Sequence, residues 1–478
     1  IYPVIATVMI LSLYGFPVAV SRLTKQQVAS GKAIDFRHHI VPVFLLLFAI
    51  TVFMAIVIFV SAPVLAHLMH DEKLIFPLQL SALLFLFIPF LSLFRGLFQA
   101  ELQVEETAYS QIIEQLIRVI FIIVGSWLIF RGVLQVRSIA EVGVFASLIS
   151  IIIANILLFI FFIRRYPVAP SVYVKNQIEW GLYFRTIITF GLLASLNHLT
   201  LIFIQFVDTV TLVPQLLKLG LSPLEAMEQK GIFDRAIPLI QIGVVFGSSF
   251  ALVLIPSLTE QKQQSLKSVR DAFSISVYLA VGATVGLIVL FPEVNRLLFK
   301  NDLQTTVLQM LTLSILLLTI SITGSSILQA SEHVMYTIVS LIVTVITKWL
   351  LNYFLIPIWG TFGSAIATVS SLLLLTVIII IGLQQKFNFT PLKVIRYGPL
   401  LNTSVMMTLF LLFVKFFIPA DEFSRLGLMV YVMFLVSSGA LLYVSLLIRF
   451  RVFNERQLTA LPFDKLWLLL HHLIHKNR

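Results

Sequence analysis

Apolar positions in this chain come in long unbroken runs, not in the two-residue alternation of a strand. A helix rises 1.5 Å per residue, so about 20 apolar residues cross a hydrocarbon core of about 30 Å. Thirteen stretches reach that length, at approximately 1–20, 40–67, 75–99, 108–130, 139–163, 186–213, 234–257, 272–296, 306–329, 334–357, 360–384, 398–418 and 426–448. The alternation of a membrane β-barrel is absent, so the pattern predicts an all-α integral membrane protein.

Composition agrees. Of 478 residues, 59% are hydrophobic and 12% charged, with a mean hydropathy of +1.02. A soluble domain carries roughly 25% charged residues, so most of this surface faces something other than water. Cysteine is absent, which excludes disulfides, thiolate metal sites and Cys nucleophiles. The net charge of +11 sits in short loops between apolar runs, which reads as topology and not as a nucleic-acid face. The loops at 21–39, 100–107, 164–185, 258–271, 330–333 and 385–397, with the tail from 449, hold 21 of the 33 Lys and Arg residues, and the opposite set holds 10. The richer side is expected to be cytoplasmic, C-terminus included. The first visible span would then start outside, and one further helix before Ile1 would bring the total to fourteen. The tail alternates Leu458, Leu461, Leu466, Leu469 and Leu473 with Arg456, Lys465 and Lys476, as an amphipathic helix on the inner leaflet would. His471, His472 and His475 read there as interfacial histidines; no metal or other cofactor is expected.

Two regions repeat. Gly96, Gln99 and Ala100 end one span, and Ser110, Glu114 and Arg118 line the next; Gly324, Gln329 and Ala330 end another, followed by Ser340, Thr344 and Lys348. A weaker pair matches residues 23–26 with residues 258–261. The offset of about 230 residues spans six helices, an even number, so the copies have the same orientation. Two parallel pseudo-symmetric six-helix lobes around a central cavity, plus two extra C-terminal helices, are expected. The divisions are 1–163 for the N-terminal lobe, 164–185 for a cytoplasmic linker, 186–384 for the C-terminal lobe, 385–448 for the added helices and 449–478 for the tail.

Arg118 and Lys348 lie about 15 Å deep, where a charge facing lipid costs at least a few kcal/mol. Each is therefore expected to line a wet cavity, with Glu114 one turn before Arg118 and Asn352 one turn after Lys348. The plainer alternative is that Glu114 only neutralises Arg118. Asn197, Gln205 and Asp208 recur along the sixth span beside His198. Asp234 and Arg235 open the seventh, with Gln241 two turns further in. Asp234 suits a helix N-cap, whereas Arg235 is disfavoured there unless it holds an anion or is solvated at the interface.

Nucleotide and hydrolase chemistry find no support. Gly31-Lys32 lacks the first Gly and the Ser or Thr of a Walker A loop, and no H-E-x-x-H or G-x-S-x-G run occurs. The reading is a transporter, not an enzyme.

Leu13-Tyr14-Gly15-Phe16-Pro17-Val18-Ala19-Val20-Ser21-Arg22-Leu23 resembles the second helix of the stage V sporulation protein B type of polysaccharide transporters. Arg95 to Ala100, followed by Ser110 to Val119, resembles that family's fourth and fifth helices. Gly231-Ile232-Phe233-Asp234-Arg235, leading to Ile255-Pro256-Ser257-Leu258, is similar to its eighth, and more distantly to that of MurJ-type lipid II flippases. The resemblance implies two lobes around a V-shaped cavity in the bacterial cytoplasmic membrane. It also implies a flippase for an undecaprenyl-diphosphate-linked saccharide such as a peptidoglycan precursor, with Arg235 on a motif position that engages the diphosphate. Its implied partners are this lipid-linked saccharide, membrane lipids, a coupling cation or the membrane potential, and envelope synthases. An O-antigen or exopolysaccharide flippase, a cation-coupled drug exporter and a non-transporting scaffold are the alternatives.

Overall fold

Long apolar runs become helices because hydrocarbon offers no hydrogen bonds, and only a helix satisfies its own backbone within one segment. The computed structural model describes residues 1–30, 35–135, 138–165, 179–254, 262–330, 333–387, 390–420, 423–453 and 467. Among these, twelve helical stretches are long and apolar enough to cross a membrane. One of them, Val334–Phe387, has 54 residues, or about 80 Å of helix, more than twice a bilayer core. It breaks at Gly360 (φ 57°, ψ −133°), three residues after Pro357, so it is two arms and not one rod. The tail beyond 453, except Trp467, lies outside the described residues, and with it the three histidines. So does the weaker repeat at 258–261.

The chain forms two compact units, Ile1–Val210 and Thr211–Arg478. The first holds α1 (Tyr2–Ala29), α2 (Phe36–Leu68), α3 (Glu72–Ala100), α4 (Val104–Phe130) and α5 (Ile139–Arg165). The short helix Trp180–Thr186 and a π-helical turn at Ile187–Leu192 lead into α6 (Leu193–Lys218), within which the boundary falls. Phe16, Val43, Leu47, Leu78, Ile88 and Leu91 are buried at the centre of this unit. α2 and α4 are its rim: only 22% and 17% of their most apolar stretches are buried, and Phe53 and Val60 of α2 are exposed as lipid-facing residues are.

The second unit holds α7 (Pro223–Phe233), α8 (Ala236–Leu254), α9 (Lys262–Phe299), α10 (Thr305–Gln329), α11 (Val334–Phe387), α12 (Tyr397–Phe417) and α13 (Arg425–Arg449). Here α10 is central, with 78% of its apolar stretch buried. α12 and α13 pack on α9: Tyr443 lies over Gly282 and its hydroxyl donates to the Tyr278 carbonyl at 2.7 Å.

Two prolines account for some of the polar contacts that hold helices together. A proline has no N–H, so a carbonyl four or five residues earlier loses its donor. In α9, Pro292 orphans the Ile288 carbonyl, which accepts from Gln309 Nε2 at 2.8 Å, and the neighbouring Val289 carbonyl accepts from Lys415 Nζ at 2.9 Å. In α1, a π-helical turn at Leu11–Gly15 makes Phe16 N–H donate to Leu11 O. The next carbonyl in that register, Ser12 O, faces Pro17 and must find a donor elsewhere.

Candidate functional site

The donor for Ser12 O is Arg95. This residue is 1% exposed although it stands only five positions before the end of α3. Its Nη1 reaches Ser12 O at 3.2 Å, its Nε reaches Ser110 Oγ at 3.2 Å, and its Nη2 reaches Glu114 Oε2 at 2.8 Å. Ser110 spends its own proton on Thr107 O, so it is free to accept. The other Glu114 oxygen, Oε1, accepts from Arg118 Nη2 at 2.7 Å. Arg118 Nη1 is aimed at Gln115 Oε1 and Met9 Sδ, 3.0 and 3.1 Å away. One buried carboxylate thus bridges two guanidinium groups from α3 and α4, and the three side chains sum to a formal charge of +1. Glu114 does pair with Arg118 one turn away, as the plainer reading held, but Arg118 is not its only partner.

The equivalent stripe in the second unit is built differently. Lys348 sits in the first arm of α11 and is fully buried at 0% exposure. Its Nζ donates to Ser364 O, Ser364 Oγ and Thr368 Oγ1 at 2.9, 3.1 and 2.6 Å, all on the second arm beyond Gly360. Asn352, one turn on, donates to Thr211 Oγ1 at 2.7 Å. Arg118 and Lys348 were expected at a wet cavity wall. In this conformation both are buried, with Glu114 taking one Arg118 donor and the α11 oxygens holding Lys348. Ser110 and Ser340 make the same back-bond, to Thr107 O and Thr337 O, so the repeat extends to hydrogen bonding at that position.

Asp234 and Arg235 occupy the turn between α7 and α8. The Asp234 carboxylate pairs with Lys230, one turn back on α7. Arg235 lies over the Phe299 ring at 4.5 Å, and its Nη1 donates to Asn295 Oδ1 and Asn301 Oδ1. Among the described residues no carboxylate stands within salt-bridge distance of it, so its charge is held by neutral amides and an aromatic face.

On α6, Gln205 and Asp208 are both buried, three residues apart on one face. The Gln205 amide has neither its nitrogen nor its oxygen partnered among the described residues. His198 stacks on Tyr14 with ring centroids 4.0 Å apart. The Asn197 side chain falls outside the described residues. Gln241, on α8, is partly exposed and lies a turn and a half past Arg235.

Outside these clusters, the second unit carries an almost wholly apolar groove of about 430 Å³. Its walls include Gly243, Gly282, Gly286 and Gly439 from three helices, with Met407 and Tyr443.

Arg95 is the residue that sequence reasoning passed over. Near the end of a span it counts as a loop cation, and only α3 packing against α1 and α4 carries it inward. Pro17 was the available signal: a proline inside a helix promises an orphaned carbonyl, and a buried arginine is a natural donor for one.

Comparison with known proteins places the molecule. Over residues 1–262 the chain matches the model of the polysaccharide biosynthesis protein family. It is 28% identical to the uncharacterized membrane protein YabM of Bacillus subtilis, over 97% of this chain and 87% of that one. It is 23% identical to the lipid II flippase MurJ of the same organism, over 75% and 70%, and 20% identical to its stage V sporulation protein B, over 95% and 88%. Among solved structures, the inward closed conformation of lipid II flippase MurJ superposes with a TM-score of 0.62 at 13% identity, covering 94% of this chain and 97% of that one. An inward-facing MATE family multidrug transporter of the MOP superfamily gives 0.59 at 16%, covering 84% and 90%. The helical membrane fold is therefore that of MurJ and MATE transporters, and the chain is a multi-pass membrane protein that belongs to the polysaccharide biosynthesis protein family.

Proposed function

We propose that this protein is a flippase that carries a polyprenyl-diphosphate-linked oligosaccharide, such as a peptidoglycan precursor, across the bacterial cytoplasmic membrane. The observation that carries the reading is buried positive charge at mid-membrane depth, in a fold shared with transporters. Arg118 lies 12 residues, or about 18 Å, from the end of α4, in a cluster of net charge +1. A membrane protein retains such a charge only where function repays its desolvation, and a diphosphate is a matching load for guanidinium donors. Arg235, held by neutral partners, is a second cation suited to the same headgroup. The apolar groove beside α12 and α13 suits a hydrocarbon tail that stays in the bilayer while the headgroup crosses. In this proposal the two lobes rock about the bound headgroup, driven by membrane potential or a coupling cation, with the C-terminus in the cytoplasm. Envelope synthases would use the product on the far side.

The test is complementation of a strain depleted of its lipid II flippase with the full-length protein. Arg118→Ala, Arg235→Ala and Lys348→Ala should each impair rescue while membrane insertion is kept. Full rescue by all three variants would refute the cationic site. Drug resistance on overproduction without rescue would favour an exporter of the MATE kind.

A further inference from the structure

Arg95 touches no open space, yet the placement of charge in the first unit depends on it. If Glu114 served only to neutralise Arg118, one arginine would suffice. The structure has two, and they divide the carboxylate between them, with Arg95 on Oε2 and Arg118 on Oε1. Arg95 is spent on fixed partners: a carbonyl orphaned by Pro17, a serine hydroxyl whose proton is committed, and the carboxylate. Arg118 is spent less fully. Its Nε has no partner among the described residues, and its Nη1 meets only a neutral amide and a thioether. A thioether is a weak acceptor, easily exchanged for a stronger one.

We propose that Arg95 is a positioning residue of the substrate site: it neutralises and anchors Glu114 so that the positive charge of Arg118 remains available to an anionic diphosphate headgroup. The inference rests on the flippase reading for its ligand but not for its charge balance. Arg95 enters from α3, stabilises the π-helical turn of α1 through Ser12 O and clamps α4 through Ser110 and Glu114. It therefore sets both the position and the net charge of the cluster. Without it, Glu114 and Arg118 close into a neutral pair with no charge left to attract an anion.

The experiment uses purified full-length protein in lipid nanodiscs, with undecaprenyl diphosphate as the probe. Binding affinity and thermal melting are measured for the wild type, Arg95→Gln, Arg95→Gln/Glu114→Gln and Arg118→Gln. Arg95→Gln is expected to weaken binding at least tenfold. The double variant, which removes one positive and one negative charge together, is expected to return to within threefold of wild type. Arg118→Gln should bind as weakly as Arg95→Gln. Wild-type binding in Arg95→Gln would overturn the proposal, as would a double variant no better than the single one. A purely packing role for Arg95 predicts no rescue, since the second substitution restores no volume. If the wild type does not bind the probe at all, the flippase reading fails. Melting then tests the charge balance alone: Arg95→Gln/Glu114→Gln, which strands the buried Arg118 without a carboxylate, should melt below Arg95→Gln, and a double variant that melts at or above the single one refutes it.

Discussion

Replacing Lys415 with Met should loosen the two C-terminal helices from the second unit. Lys415 stands in the last turn of α12, and its Nζ makes a 2.9 Å ion pair with Glu293 Oε1 and a 2.9 Å bond to the Val289 carbonyl. Both acceptors lie on α9 beside Pro292, where the helix is short of its own donors. The second Glu293 oxygen has no partner among the described residues, so Lys415 is the group that compensates this carboxylate. Removing one member of a buried pair costs roughly 3–5 kcal/mol, because the survivor keeps its desolvation penalty without its partner. The lysine side chain is 21% exposed and the glutamate 11%, so screening lowers the expected loss to about 2–3 kcal/mol. At 1.4 kcal/mol per factor of ten, α12 should detach about 30- to 140-fold more often. Hydrogen exchange of 397–417 in nanodiscs reads this directly, with thermal melting as the global check. Removing the stranded charge as well, in Glu293→Gln/Lys415→Met, should recover most of the loss. Unchanged exchange in Lys415→Met would refute the reasoning, as would a double variant at the plain sum of the two single losses.

Two further substitutions test the fold. Gly360→Ala places a side chain at φ 57°, ψ −133°, a conformation reserved for glycine, and should cost about 1–3 kcal/mol in thermal melts. Because Lys348 bonds across that break, the variant should also disturb the Lys348 contacts and any transport that depends on them. Tyr183→Phe removes the hydroxyl 3.1 Å from His39 Nδ1, leaving a buried ring nitrogen unpartnered while Thr24 still serves the other. A loss of about 1–3 kcal/mol is expected in melts, and its absence would mean that water takes the place of the tyrosine.

Much of this molecule is written in the order of its residues. Apolar run length dictates membrane-crossing helices, because a backbone in hydrocarbon has no other way to satisfy itself. Depth along a run shows that Arg118 and Lys348 lie deep in their spans and cannot face lipid, and the i, i+4 rule finds the Glu114–Arg118 pair, because those neighbours share one helix. The bias of Lys and Arg among the loops supports the proposed orientation. Tertiary structure alone decided what comes from elsewhere. Arg95 reaches Glu114 only because α3 packs on α4, and Ser12 O needs it because the π-helical turn sets it opposite Pro17, which has no N–H to donate. Lys348 finds its oxygens by the chain turning back at Gly360, and Asp234 pairs backward along α7 with Lys230. The physical reason is one of range. Helical periodicity relates residues within a turn or two of each other, whereas the rotation of one helix against another is set by packing over the whole contact. Partners for a buried charge are chosen at that second level.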